Sequence, residues 1–246
     1  MKKYNKPPLI TASCEINVSR DEETKWNKVY IGELYTHLKE DYPNNEDIVS
    51  TNGQFIPEQG GYEIEQFPET KLYIENDKDN RSLFVSERRL KVNCNNPYPG
   101  WEIFGKKIND AISEYQTITK PKAIEEITLI YTNKISIPTK EGTVFNENEY
   151  FTVVLNYSSL GSLAARMDVR LVFPQTNKNF MIMTFSITPN SKTSSFDCYI
   201  EIAYVITKQN LKTVSDIEQQ INLAHETIEK CFESTITDKT RSFFNA

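Results

Sequence analysis

Histidine is scarce in this 246-residue chain: there are two, His37 and His225. Both fall on predicted helices, and neither is set in the HExxH pattern of a zinc site. Glycine is also sparse, at eight residues. A phosphate-cradling backbone loop is therefore poorly supplied, and no Walker A or GxGxxG pattern occurs. Gly60-Gly61 precedes a predicted strand, which is the wrong context for such a loop. The four cysteines, Cys14, Cys94, Cys198 and Cys231, never approach CxxC spacing. Their places on apolar phases predict reduced core thiols, not a disulfide framework or a metal site. No apolar run reaches the roughly 18 residues of a membrane span. The basic start, Met1 to Pro8, lacks the apolar stretch of a signal peptide. A cytoplasmic location is expected, with no cofactor, no metal and no catalytic residue assigned.

The net charge is -6 and the pI about 5.2. A general nucleic-acid binder carries a basic footprint, so that role is not expected. Hydrophobic residues at 38% and charged residues at 25% are ordinary globular usage, and the length suffices for a substantial core.

Periodicity carries the fold. Ile10, Ala12, Cys14, Ile16 and Val18 alternate with polar residues, which predicts a strand with one wet face. A helix is predicted over 26–42, carried by Ile31, Leu34, Tyr35, Leu38 and Tyr42 and stopped by Pro43. Residues 44–61 are polar and irregular and predict a flexible loop. Strands are expected over 62–67, 71–75 and 83–95, with a hairpin turn at Asp77-Lys78-Asp79-Asn80. Trp101, Phe104, Ile108, Ala111, Ile112 and Tyr115 form one helical stripe. Alternation then predicts strands at 127–135, 151–157, 165–173, 181–187 and 198–206. Their succession without intervening helices implies antiparallel meanders. A capping box at Ser215 and Glu218 opens the last helix, whose stripe runs from Ile217 to Ile236. The expected fold is α+β: a large curved antiparallel sheet packed against a long C-terminal helix, with two additional helices, in one domain over 1–246.

Two basic clusters stand out. Arg89 and Lys91 share the polar face of one predicted strand, beside Arg88. Arg166 and Arg170 share that of another, with Asp168 between them. If the two strands were neighbours, a positive strip would hold a phosphate or an acidic partner; the alternative is a solvated face with cross-strand ion pairs. Tyr98 and Trp101, near a Pro-rich turn, suit a pocket rim or an oligomer contact. Glu69-Thr70-Lys71, with Glu63 or Glu65 upstream, fits half of a metal-dependent nuclease signature. Acid-x-base triplets are common by chance among 34 acids and 28 bases. His225 and Glu226 are adjacent, so on a helix they point in different directions.

Several of these motifs occur in a fixed order: Pro7-Pro8-Leu9-Ile10 with Ala12 and Glu15-Ile16; Pro97-Tyr98-Pro99-Gly100-Trp101 with Phe104; Ile127, Leu129, Tyr131, Asn133 and Ile135; then His225-Glu226, Phe232-Glu233, Thr237, Lys239 and Arg241. Together, over nearly the whole chain, they resemble a sporadically distributed bacterial and archaeal family of unknown function. The resemblance implies that any shared site would use His225, Glu226, Glu233, Lys239 and Arg241, with Tyr98 and Trp101 elsewhere. The family's patchy distribution is like that of genes on mobile or defence islands. The expectation is therefore a non-enzymatic binding or accessory protein in an antiviral-defence or mobile-island system, with a protein partner or a second copy of itself. The alternatives are a small-molecule or nucleotide-binding sensor and a metal-dependent nuclease.

Overall fold

The structure is a computed structural model that describes residues 4–21, 26–56, 61–73, 80–139, 146–153, 166–190, 192–208, 211 and 213–245. Among the described residues, nine strands form an antiparallel sheet, accompanied by four α-helices. The strands are β1 (Leu9–Ser19), β2 (Asn44–Ile56), β3 (Gly61–Tyr73), β4 (Arg81–Val85), β5 (Arg89–Asn95), β6 (Ala123–Pro138), β7 (Met167–Pro174), β8 (Phe180–Asn190) and β9 (Ser195–Thr207). The helices are α1 (Val29–Leu38), α2 (Trp101–Thr119), α3 (Val214–Thr235) and α4 (Asp238–Phe244). The strand order is β2-β3-β4-β5-β1-β6-β9-β8-β7, so β2 and β7 are outermost among the described strands. No helix among the described residues is long and apolar enough to cross a membrane.

Backbone contacts gather the chain into two compact units, Ser13–Ile127 and Met1–Ala12 with Thr128–Ala246. In the first, α2 buries Phe104, Ile108, Ala111, Ile112 and Tyr115 and packs against α1 and β5. The expected stripe is thus the buried face. Gly100 precedes α2 at φ +96°, a left-handed conformation that glycine adopts without steric penalty. Arg20 closes the other end of the helix. Its guanidinium donates to the Thr119 carbonyl at 2.7 Å, to the Glu87 carbonyl at 2.6 Å and to the Tyr115 hydroxyl at 3.3 Å. A cation at a helix C-terminus satisfies carbonyls that lack intrahelical partners and complements the dipole.

Four expectations in this unit need correction. The loop predicted from residue 44 is a strand as far as Ile56, paired antiparallel with β3. As an edge strand it needs no apolar alternation, and its polar composition hid it. The single strand predicted over 83–95 is β4 and β5, joined by a turn in which the Ser86 N–H donates to the Arg89 carbonyl at 2.8 Å. The helix predicted from residue 26 begins at Val29, where the Asn27 side chain accepts from the Val29 N–H. The strands expected at 62–67 and 71–75 are the one strand β3, which extends to Tyr73. The turn expected at 77–80 lies largely outside the described residues.

In the second unit, α3 lies against β9. Ile217, Ile221, Ala224, Ile228 and Phe232 are buried on the helix. Cys198, Ile200, Ile202 and Tyr204 on β9 and Met181, Met183 and Phe185 on β8 are buried with alternate phase. The helix is capped by Thr213, not Ser215: the Thr213 hydroxyl accepts from the Asp216 N–H, and the Asp216 carboxylate accepts from the Thr213 N–H. The apolar stripe ends at Ile236, where the backbone turns extended. Thr237 then caps the unexpected fourth helix, α4. Of the strand predicted over 151–157, Phe151 makes an isolated bridge to Ile236, and 154–157 lie outside the described residues. Cys14, Cys94 and Cys198 are buried free thiols, and Cys231 is half-buried.

Candidate functional site

The residues singled out in the sequence divide between two polar clusters, one in each unit. In the unit spanning 13–127, Arg89 sits between two carboxylates. Its Nε and Nη2 donate to Glu69 at 3.1 and 2.9 Å, and its Nη1 donates to Glu15 at 3.1 Å. The Glu69 side chain is fully buried and also accepts from the Ser50 hydroxyl. Lys91 lies 3.8 Å from the other oxygen of Glu15. A bidentate guanidinium fork is the geometry that best holds a buried carboxylate. Both oxygens of Glu69 are thereby occupied, and Lys71 pairs with Glu46 at 3.0 Å. The Glu69–Lys71 pair is built into ion pairs and does not present an open metal ligand. Among the described residues, no three His, Cys, Asp or Glu side chains gather as a metal site.

The positive strip does not form. β5, carrying Arg89 and Lys91, and β7, carrying Arg170, are separated in the sheet by β1, β6, β9 and β8. Arg166 pairs with Asp168 at 2.6 and 3.2 Å on the exposed side of β7. Tyr98 and Trp101 stack edge-on against Phe104, at 5.8 and 6.4 Å between ring centroids, and so brace the entry to α2. The Trp101 ring also covers Gly105, where a Cβ would approach it to 3.2 Å.

The second cluster runs along α3. His225 is 4% exposed. The Tyr131 hydroxyl, on β6, is 2.9 Å from its Nδ1, and Glu229, one turn along α3, is 3.4 Å from its Nε2. Burial pushes the His225 pKa down to about 4 and that of Glu229 up. A neutral imidazole with Nε2–H toward Glu229 leaves Nδ1 to accept the Tyr131 proton. Glu226, the neighbour of His225 in sequence, is exposed on the other side of the helix. There it lines an open hollow of about 640 Å³ with Ser215, Glu218, Gln219, Asn222 and Leu223.

Further along, Glu233 accepts from the Tyr4 hydroxyl at 2.6 Å and from Arg241 Nε at 3.0 Å. Arg241 also donates to the Glu233 carbonyl and, at 2.7 Å, to Asp238. Burial and the bond to Glu233 push the Tyr4 hydroxyl up to about 12. Lys239 bonds Glu149 and lies 4.4 Å over the Tyr150 ring. The structure therefore brings Glu233 and Arg241 together, places Lys239 on a separate surface pair, and turns Glu226 away from His225. Glu229 completes the histidine network, and its i+4 spacing from His225 was visible in the sequence. Tyr4 and Arg20 carry no local signal, since each acts through partners distant along the chain.

Chemically, the buried groups are closed. The Tyr131 and His225 side chains bond each other away from solvent. Burial raises the thiols of Cys14 and Cys231 and pushes that of Cys198 up to about 12, which keeps them protonated and poorly nucleophilic. No family model matches the chain, and no curated protein matches it.

Proposed function

We propose that this chain is a cytoplasmic binding or accessory protein that acts through protein contact, in the kind of defence or mobile-island system that its sequence resemblance implies. The observation that carries this reading is β7, outermost among the described strands, where Val172 and Phe173 are 57% and 37% exposed side by side. Adjacent exposed apolar residues on an edge strand invite pairing with another chain, because its backbone donors and acceptors face outward. The candidate cations and His225 support the same reading, since most are tied to partners within the fold. Native mass spectrometry of the protein captured gently from its own cells tests it. A stoichiometric second chain that is lost on Val172→Asp supports the reading; capture indifferent to Val172→Asp and Phe173→Asp overturns it.

A second reading, a small-molecule sensor, is favoured by the hollow along α3, whose lining sets Glu218, Asn222 and Glu226 beside Leu223. It predicts a small molecule retained on the wild-type chain and lost on Glu226→Leu or Asn222→Leu in the same spectrometer.

A further inference from the structure

We propose that the partner of β7 is β7 of a second copy, paired antiparallel about a two-fold axis at Val169. This rests on the reading of β7 as a binding edge and names its occupant. In an antiparallel pair, residues directly opposite each other lie on the same face. A two-fold axis perpendicular to the sheet sets a residue opposite itself, and its neighbours opposite in reverse order. With Val169 at the axis, Asp168 of each copy faces Arg170 of the other. Met167 then faces Leu171, and Arg166 faces Val172.

Each pairing is chemically matched. Asp168 and Arg170 are both exposed on one face of the strand. Arg170 holds no ion pair among the described residues, and Asp168 is shared so far with Arg166 alone. Two Asp168–Arg170 pairs would thus form symmetrically across the junction. On the other face, Met167, Val169 and Leu171 are half-buried. Val169 and Leu171 lie opposite Phe185 and Met183 of β8, so a second β7 would extend the apolar row of the sheet. The aliphatic stem of Arg166 would cover Val172.

Neighbouring registers are worse. An axis at Asp168 sets the two acids against each other and Arg166 against Arg170. An axis at Arg170 opposes two arginines, and one at Leu171 leaves every charge without a counterpart. An axis at Met167 restores an acid–base pair but shifts the overlap off the strand. The other edge offers no such complement: β2 contains Glu46 and Asp47 but no Lys or Arg, and those acids already bond Lys71 and Thr70 of β3.

Sedimentation of the full chain tests the register. Wild type is expected to be a dimer in the micromolar range. Asp168→Arg and Arg170→Asp should each weaken dimerisation at least ten-fold, because each sets like charges opposite each other. The double variant should recover, and so should an equimolar mixture of the two single variants, whose opposed residues are again acid and base. Recovery in the mixture excludes misfolding as the cause of either loss. A wild-type monomer at all concentrations overturns the self-pairing, while leaving the binding-edge reading to its own capture experiment. A dimer unaffected by either single substitution also overturns it.

Discussion

The two units solve the same problem in opposite ways. Each buries an ionisable side chain, Glu69 in one and His225 in the other. In the unit spanning 13–127 the group stays charged: the fully buried Glu69 is held by the Arg89 fork, and Glu15 accepts from Nη1 of the same guanidinium. In the other unit the group is discharged: His225 is neutral, and Tyr131 and Glu229 occupy its two nitrogens. Charge pairing needs several elements to converge, here β1, β3 and β5. Discharge needs a helix and one strand. The first should be fragile to losing a partner and the second to acid.

The largest effect is expected from Arg89→Met. It leaves the Glu69 carboxylate buried without a countercharge, which costs about 3–5 kcal/mol. Adding Glu69→Leu should recover most of the loss, because an apolar pair of similar volume needs no countercharge. Urea unfolding of both variants measures this. Equal losses in the single and double variants would show that Arg89 matters for packing and not for charge, and the contrast between the units would fall.

Acid separates them next. The folded pKa of His225 lies near 4, below its ordinary 6.5, because burial disfavours the imidazolium. The unfolded chain therefore binds the proton more readily. Stability from this group is complete above pH 6.5 and falls as the pH drops toward 4, by at most about 3 kcal/mol. Glu229 acts in the opposite sense, since burial raises its pKa and protonation at low pH favours the folded form. The difference between wild type and His225→Gln isolates the histidine: the variant should show a flatter stability profile between pH 6.5 and 4. Parallel profiles would mean that His225 titrates normally and that the cluster is not discharged by burial.

How much of this was legible depends on how local each cause is. The α2 stripe and the strands of β8 and β9 announce themselves, because burial of one face imposes a period that any window reveals. The β4–β5 turn was legible too, in a feature passed over. Leu83 and Val85 are buried at odd positions, but Leu90, Val92 and Cys94 at even ones. A continuous strand cannot change phase without a break. The edge strand β2 left no trace, since half-paired strands need no apolar face. The strand order was out of reach, because periodicity states which face is buried and not which strand lies beside which. That is why a strip joining Arg89 to Arg170 was conditional on their strands being neighbours, and four strands stand between β5 and β7. Glu69 is one acid among many until the fold sets the Arg89 fork against it.

The smallest effect sharpens the contrast at the helix that carries the neutral cluster. Two overlapping patterns precede α3, Thr213-x-x-Asp216 and Ser215-x-x-Glu218, and each fits a capping box. The helix uses the first. Thr213 is extended at φ -129°, ψ 162° and accepts from the Asp216 N–H at 3.1 Å, whereas Ser215 is already inside the helix. Thr213→Ala should therefore cost about 1 kcal/mol, and Ser215→Ala no more than a few tenths. The loss should also leave the slope of stability with pH unchanged, since His225 lies about three turns further along α3 and its environment is set by β6. If Thr213→Ala alters that slope, the neutral cluster depends on the whole helix and not on its contact with Tyr131 alone. Discharge would then be as cooperative a device as the Arg89 ion pair.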